Sequence, residues 1–141
     1  MSTPAEGGPI TTARTDPRSP DSHLRGRTYA IFFDEVWRAA CALAEGGMRR
    51  WDFLRSDDQA GVIEAVATSR VLKATDHVDI SVGLDENGQT RVDMTVTTDK
   101  PLFGIGRGRR LVRRFFARLD ARMRATPAQI LDASRRPSWS T

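Results

Sequence analysis

The densest chemistry in the chain is a row of guanidinium groups. Between residues 105 and 124 stand eight arginines and one acid, Asp120, so this stretch carries +7 in a chain whose formal net charge is only +4. Set on a helix at about 100° per residue, Arg107, Arg109, Arg110, Arg113, Arg114, Arg118 and Arg124 fill one arc, with Arg122 at its boundary. Leu111, Val112, Phe115, Phe116, Leu119 and Met123 fill the other arc. A planar guanidinium fork fits phosphate and carboxylate oxygens, so a one-sided row of this kind suits RNA, anionic lipid or an acidic protein surface. The plainer alternative is a solvated helix face, but like charges one turn apart repel by roughly 0.2–0.5 kcal/mol per pair and a single acid does not offset eight arginines. Partner binding is the stronger reading. Its candidate contacts are Arg107, Arg109, Arg110, Arg113, Arg114 and Arg118, joined by Trp139, which Arg135 and Arg136 flank and which could anchor in a partner pocket or a membrane interface.

Other groups carry less. Gly104-Ile105-Gly106-Arg107-Gly108 invites a phosphate-loop reading, because free amides at a helix start bind anions. Its spacing is GxGxG, Arg109 stands where the third glycine of GxGxxG would fall, and no parallel strand–helix–strand unit surrounds it, so a flexible lead into the helix is preferred. Cys41 and His77 could be paired as nucleophile and base, yet Cys41 lies on the apolar arc of its helix, where a buried thiol is the normal outcome, and His77 begins a strand. Asp79 and Asp93 face the outer side of a sheet with Arg91 beside them, and Asp57-Asp58 belong to a turn. One cysteine excludes an intramolecular disulfide and a multi-cysteine zinc cage, and His23 and His77 leave little for a metal site or a Ser-His-Asp triad. No catalytic, cofactor-binding or metal-ligating set is expected.

The elements that must position these groups are legible as changes of period. Residues 1–24 hold four of the seven prolines, Pro4, Pro9, Pro17 and Pro20, among Ser, Thr, Gly and Asp, and read as a flexible arm. Tyr29, Ile31 and Phe33 alternate with Thr28, Ala30 and Phe32 as in a strand. Asp34 then stands where a helix N-cap is wanted, Val36, Trp37, Ala40, Cys41, Leu43 and Ala44 share one side of the helix, and Gly46-Gly47 stops it. Residues 51–55 form the next strand and residues 62–72 a long one, with Ile63, Ala65, Ala67, Ser69 and Val71 inward. A hairpin follows. A two-residue Asn87-Gly88 loop would pair Val82 with Asp93 and put a carboxylate on the apolar face, whereas a three-residue Glu86-Asn87-Gly88 loop pairs Val82 with Val92, Ile80 with Met94 and Val78 with Val96. Burial selects the second register, with Asp85 opening a type I turn and Gly88 left-handed. Asp99-Lys100-Pro101 breaks the sheet before the arginine helix of about 107–124, and Thr126-Pro127-Ala128-Gln129 resembles a capping box for a short helix to about Ala133.

These elements compose an α+β domain, an antiparallel sheet of about five strands with two helices on one face, in the order β-α-β-β-β-β-α. The expected layout is the arm over 1–24, the domain over 25–124, and a short helix with a tryptophan-bearing tail over 125–141. A chain of 141 residues buries about two-thirds of its unfolded surface in one core, so no staple is required. No apolar run approaches the roughly 20 residues of a membrane span, and the first residues lack a secretion-signal pattern, so a cytoplasmic location is expected, or a peripheral one on a membrane complex.

The stretches TYAIFFDEVW (Thr28–Trp37), DQAGVIEAVAT (Asp58–Thr68), TDHVDI (Thr75–Ile80) and GIGRGRRLVRRFFARL (Gly104–Leu119), in that order and spacing, resemble a bacterial family known as domain of unknown function 1499. Members of that family often begin the domain with a Cys-Pro-Asp-Ser-Pro-Asn-Cys-like segment, where this chain has Ser19-Pro20-Asp21-Ser22-His23 without either cysteine. A paired aspartate before the fourth strand stands here as Asp76-His77. Many members also carry membrane or lipoprotein segments. The resemblance implies the fold and assigns no catalytic residue.

The function expected from the sequence is that of a non-enzymatic accessory subunit, docked on a larger protein or membrane-protein assembly by its arginine helix, its arm and Trp139. A nucleic-acid-binding module using the same face is the main alternative, against which stands the absence of an aromatic stacking row on the strands. A small-ligand carrier with a pocket between sheet and helices is a third.

Overall fold

The computed structural model describes residues 10–69, 74–99 and 106–131. Period-two alternation builds the sheet: along Val62–Thr68 (β4), Thr75–Leu84 (β5) and Thr90–Thr98 (β6), buried residues alternate with half-buried ones. The expected hairpin register is the observed one, with Val82 opposite Val92, Ile80 opposite Met94 and Val78 opposite Val96. Its turn is closed by the Gly88 amide donating to the Asp85 carbonyl at 3.0 Å, with Gly88 left-handed at φ +78° and the Asp85 carboxylate accepting from the Asn87 and Gln89 amides. Trp51–Asp57 (β3) pairs with β4 through a bulge between Phe53 and Arg55 and forms one edge of the sheet.

The opposite edge was not expected. Ile10–Arg14 (β1) pairs antiparallel with Thr95–Thr98, and Arg27–Tyr29 (β2) pairs with Thr90–Val92, so two N-terminal strands lie end to end along β6. The antiparallel sheet therefore has six strands, in the order β1-β6-β5-β4-β3 with β2 also on β6. Residues 10–24 are not the free arm that their prolines suggested. β6 presents a full row of backbone groups that the short β2 cannot satisfy, and β1 supplies the rest, while Thr15 crosses to β6 with its amide on the Met94 carbonyl and its hydroxyl on Asp93. A one-turn 3-10 helix, Ser22–Leu24, is capped by Asp21. Residues 1–9 of the expected arm lie outside the described residues.

Phe33–Ala42 (α1) and Arg107–Met123 (α2) both pack on the inner face of the sheet, as expected for this α+β arrangement. Phe32, not Asp34, is the N-cap of α1; Asp34 and Glu35 fall in the first turn, where their charge meets the positive end of the helix dipole. A single π-helical turn, Leu43–Gly47, then leads to β3. Trp51 stacks on Phe115 at 5.9 Å and 8°, and Phe115 meets Phe116 edge-on at 5.3 Å. Tyr29, fully buried, donates its hydroxyl to Asp120 at 2.5 Å; burial foremost, and then the aspartate, push its own ionisation far upward. β4 stops at Thr68, short of the strand expected to Leu72, and residues 70–73 lie outside the described ones. The capping-box sequence forms one turn, with the Thr126 amide on the Gln129 side chain at 2.9 Å, but among the described residues, which end at Leu131, no helix follows. Ile130 bridges to Tyr29 instead, and the Leu131 amide donates to the Thr28 carbonyl, because β2 has a free backbone edge there. Among the described residues no helix is long and apolar enough to cross a membrane.

Candidate anion-binding cleft

The arginine helix does not present a uniform face. Its arginines divide between two flanks, and the flank that carries Arg107, Arg110 and Arg114, at spacings of three and four residues, closes one side of a cleft of about 550 Å³. The end of β4 (Thr68, Ser69), the start of β5 (Asp76) and the chain entering β3 (Arg49, Arg50) close the rest. Trp51 and Leu111 supply an apolar wall.

At its floor lies a buried ion pair. The Asp76 side chain is fully buried and accepts from a guanidinium nitrogen (Nη2) of Arg107, whose side chain is 11% exposed, and from the Thr98 hydroxyl at 2.6 Å. Thr98 in turn shares a hydrogen bond of 3.0 Å with Thr12 of β1. A buried carboxylate is tolerable only when paired in this way. The pairing leaves the other terminal nitrogen of Arg107, Nη1, buried with no acceptor among the described residues. That orphaned donor is unusual, because a buried guanidinium nitrogen normally finds a partner. Around it the described lining holds five arginines and one carboxylate, which is already engaged. Arg50 adds a second departure from the ordinary: its φ is +60°, left-handed for a residue with a Cβ, a strain of about 1–2 kcal/mol of the kind that concentrates at functional positions.

The structure thus redistributes the expected contacts. Arg110 and Arg114 line the cleft; Arg107 lines it too, but chiefly as a structural partner of Asp76. Arg109 lies on the other flank and is committed at 2.6 Å to Asp21, so it is an internal tie rather than a free contact. That guanidinium hydrogen bond, followed by the His23 amide, holds the Asp21 carboxyl below its ordinary range. Arg113 is exposed and outside the cleft, and Arg118, also exposed, reaches the Gly47 carbonyl at 3.5 Å. Trp139 lies outside the described residues. Sequence reasoning missed Arg49, Arg50 and Asp76. The last was within reach: Asp76 shares the strand parity of buried Val78 and Ile80, and a carboxylate in that position demands a cation.

The remaining candidates separate. Cys41 packs against the core on the helical side of the sheet, while His77 is on the outer face, 42% exposed, so the two do not meet. Burial, foremost, and Glu45 raise the Cys41 thiol above its ordinary range. Asp93 is held by Arg91 at 2.8 Å and by Thr15 at 2.7 Å, and lies across from Ser81 rather than Asp79. Asp57 caps its turn through the Gln59 and Ala60 amides. Of the glycine-spaced segment, Gly104 and Ile105 lie outside the described residues; Gly106 takes the left-handed N-cap position, and Gly108 is buried where a Cβ would meet the Thr12 hydroxyl at 2.6 Å and the Ala13 Cβ at 2.9 Å. Gly108 therefore serves the close approach of α2 to β1, not a flexible lead.

No protein-family model matches the chain, and no curated protein is similar to it.

Proposed function

We propose that this protein is a binding module without chemistry of its own, an accessory subunit that docks on a larger protein or membrane-protein assembly by receiving an acidic segment in the arginine cleft. The observation that carries this reading is the balance of charge in the cleft, whose described lining holds five arginines against one carboxylate, Asp76, already engaged by Arg107. A carboxylate entering the cleft gains charge-assisted hydrogen bonds from the exposed Arg110 and Arg114 guanidinium groups that line it. An acidic polypeptide is favoured over a nucleic acid because the basic lining is confined to one cleft with an apolar wall, Trp51 and Leu111, whereas single-strand readers spread stacking aromatics along a charged groove. The likeness to the domain of unknown function 1499 family adds no residue role to this reading. Such a subunit works in the cytoplasm, at the surface of the assembly that it joins.

The test is a titration with a glutamate-rich peptide at low and high salt, with an RNA of equal charge as competitor. Wild-type protein is expected to bind the peptide with an affinity that salt weakens, and Arg110→Glu/Arg114→Glu to bind at least tenfold more weakly, while Arg113→Glu on the outer flank changes little. Arg50→Gly relieves the left-handed strain, so it is expected to fold as stably as the wild type yet bind less tightly. Undiminished peptide binding by the double variant, or preference for the RNA, would overturn the proposal.

A further inference from the structure

On the face of the sheet away from the helices, Glu64 of β4 stands directly across from Asp79 of β5, and His77 lies two residues along β5 on the same face. One ligand atom from each of the three falls within 4.8 Å of the other two. The His77 Nε2 is 3.6 Å from Glu64 Oε1 and 3.7 Å from Asp79 Oδ1. Those separations exceed the hydrogen-bond range of about 2.7–3.2 Å, so the imidazole is bonded to neither carboxylate. They lie a few tenths of an ångström above the edges of a coordination polyhedron, since metal–ligand bonds of about 2.0–2.1 Å place neighbouring ligand atoms roughly 3.0–3.4 Å apart, and small rotamer shifts supply that contraction.

Two further features favour an ion over a loose cluster. Arg55 binds the other oxygen of Glu64, Oε2, at 2.6 Å, which orients the carboxylate with Oε1 toward His77. With Arg55 counted, the two carboxylates leave a net charge of −1, attractive to a divalent cation, which the imidazole ligates as its uncharged base. β4 and β5 are interior strands of the sheet, so the three ligands project from a backbone fixed on both sides. We infer that Glu64, His77 and Asp79 form a binding site for a divalent transition-metal ion of the zinc type, with one nitrogen and two oxygen ligands from the protein. All three side chains are partly exposed, so water completes the coordination. The site is separate from the arginine cleft and does not depend on its proposed role.

The experiment is calorimetric titration of the untagged, metal-free protein with Zn2+, followed by proton NMR of the two histidine rings. One equivalent is expected to bind, the His77 ring resonances to move and those of His23 to stay. His77→Ala, Glu64→Gln and Asp79→Asn are each expected to weaken binding at least tenfold with unchanged thermal unfolding of the metal-free protein, and Cys41→Ser to leave it intact. Binding that survives His77→Ala, that moves the His23 ring, or that is lost in Cys41→Ser would overturn the inference, as would no binding at all.

Discussion

At the scale of single residues, Asp76 carries the most. It is the one carboxylate among the described residues of the cleft, fully buried, and it joins three elements through Arg107 of α2, Thr98 of β6 and, beyond Thr98, Thr12 of β1. Removing one partner of a buried pair strands the other's charge, so Asp76→Ala is expected to cost about 3–5 kcal/mol, read as a lowered urea midpoint. The burial of Asp76 was legible in the sequence from the parity of its strand. The position of Arg49 and Arg50 was not. They lie in the connection between the π-helical turn and β3, and only tertiary structure imposes a left-handed conformation on Arg50.

At the scale of elements, the hairpin was fully legible, register and turn included, because a one-residue slip would have buried Asp93. β1 was not, because ITTAR lacks apolar alternation and owes its strand conformation to the unpaired edge of β6. The arginine helix was legible in extent and buried face, but the division of its arginines into a cleft flank and a tied flank depends on neighbours distant in sequence, Arg50 and Asp21 among them. Gly108 fixes how closely α2 approaches β1. Gly108→Val puts branched carbon against Ala13, whose backbone nitrogen is already 3.2 Å from an ideal Cβ and cannot swing aside as the Thr12 hydroxyl can. An overpacking loss of about 1–3 kcal/mol is expected, measured as a lower Tm, with a smaller loss for Gly108→Ala.

At the scale of the whole molecule, a chain of net charge +4 sets five of its 22 basic residues around one cleft, and its N-terminal region is tied through Asp21 and Arg109 to the helix that bears three of them. Because that tie lowers the Asp21 carboxyl below its unfolded value of roughly 3.9, its stabilisation is complete above that value and is lost as pH falls through the lower, folded one. Asp21→Asn is therefore expected to melt below the wild type at pH 7, and the gap to close as the pH is brought down into the acid range, a trend that paired thermal melts would show. The placement of β1 also bears on how the protein is made. Thr12 and Thr98 stand 86 residues apart in sequence yet share a hydrogen bond. At synthesis rates of about 5–20 residues per second, the N-terminal strand leaves the ribosome roughly 4–17 s before the strand it pairs with. Throughout that interval its backbone has no sheet to join, and the nascent chain exposes it to chaperones and proteases until β6 emerges.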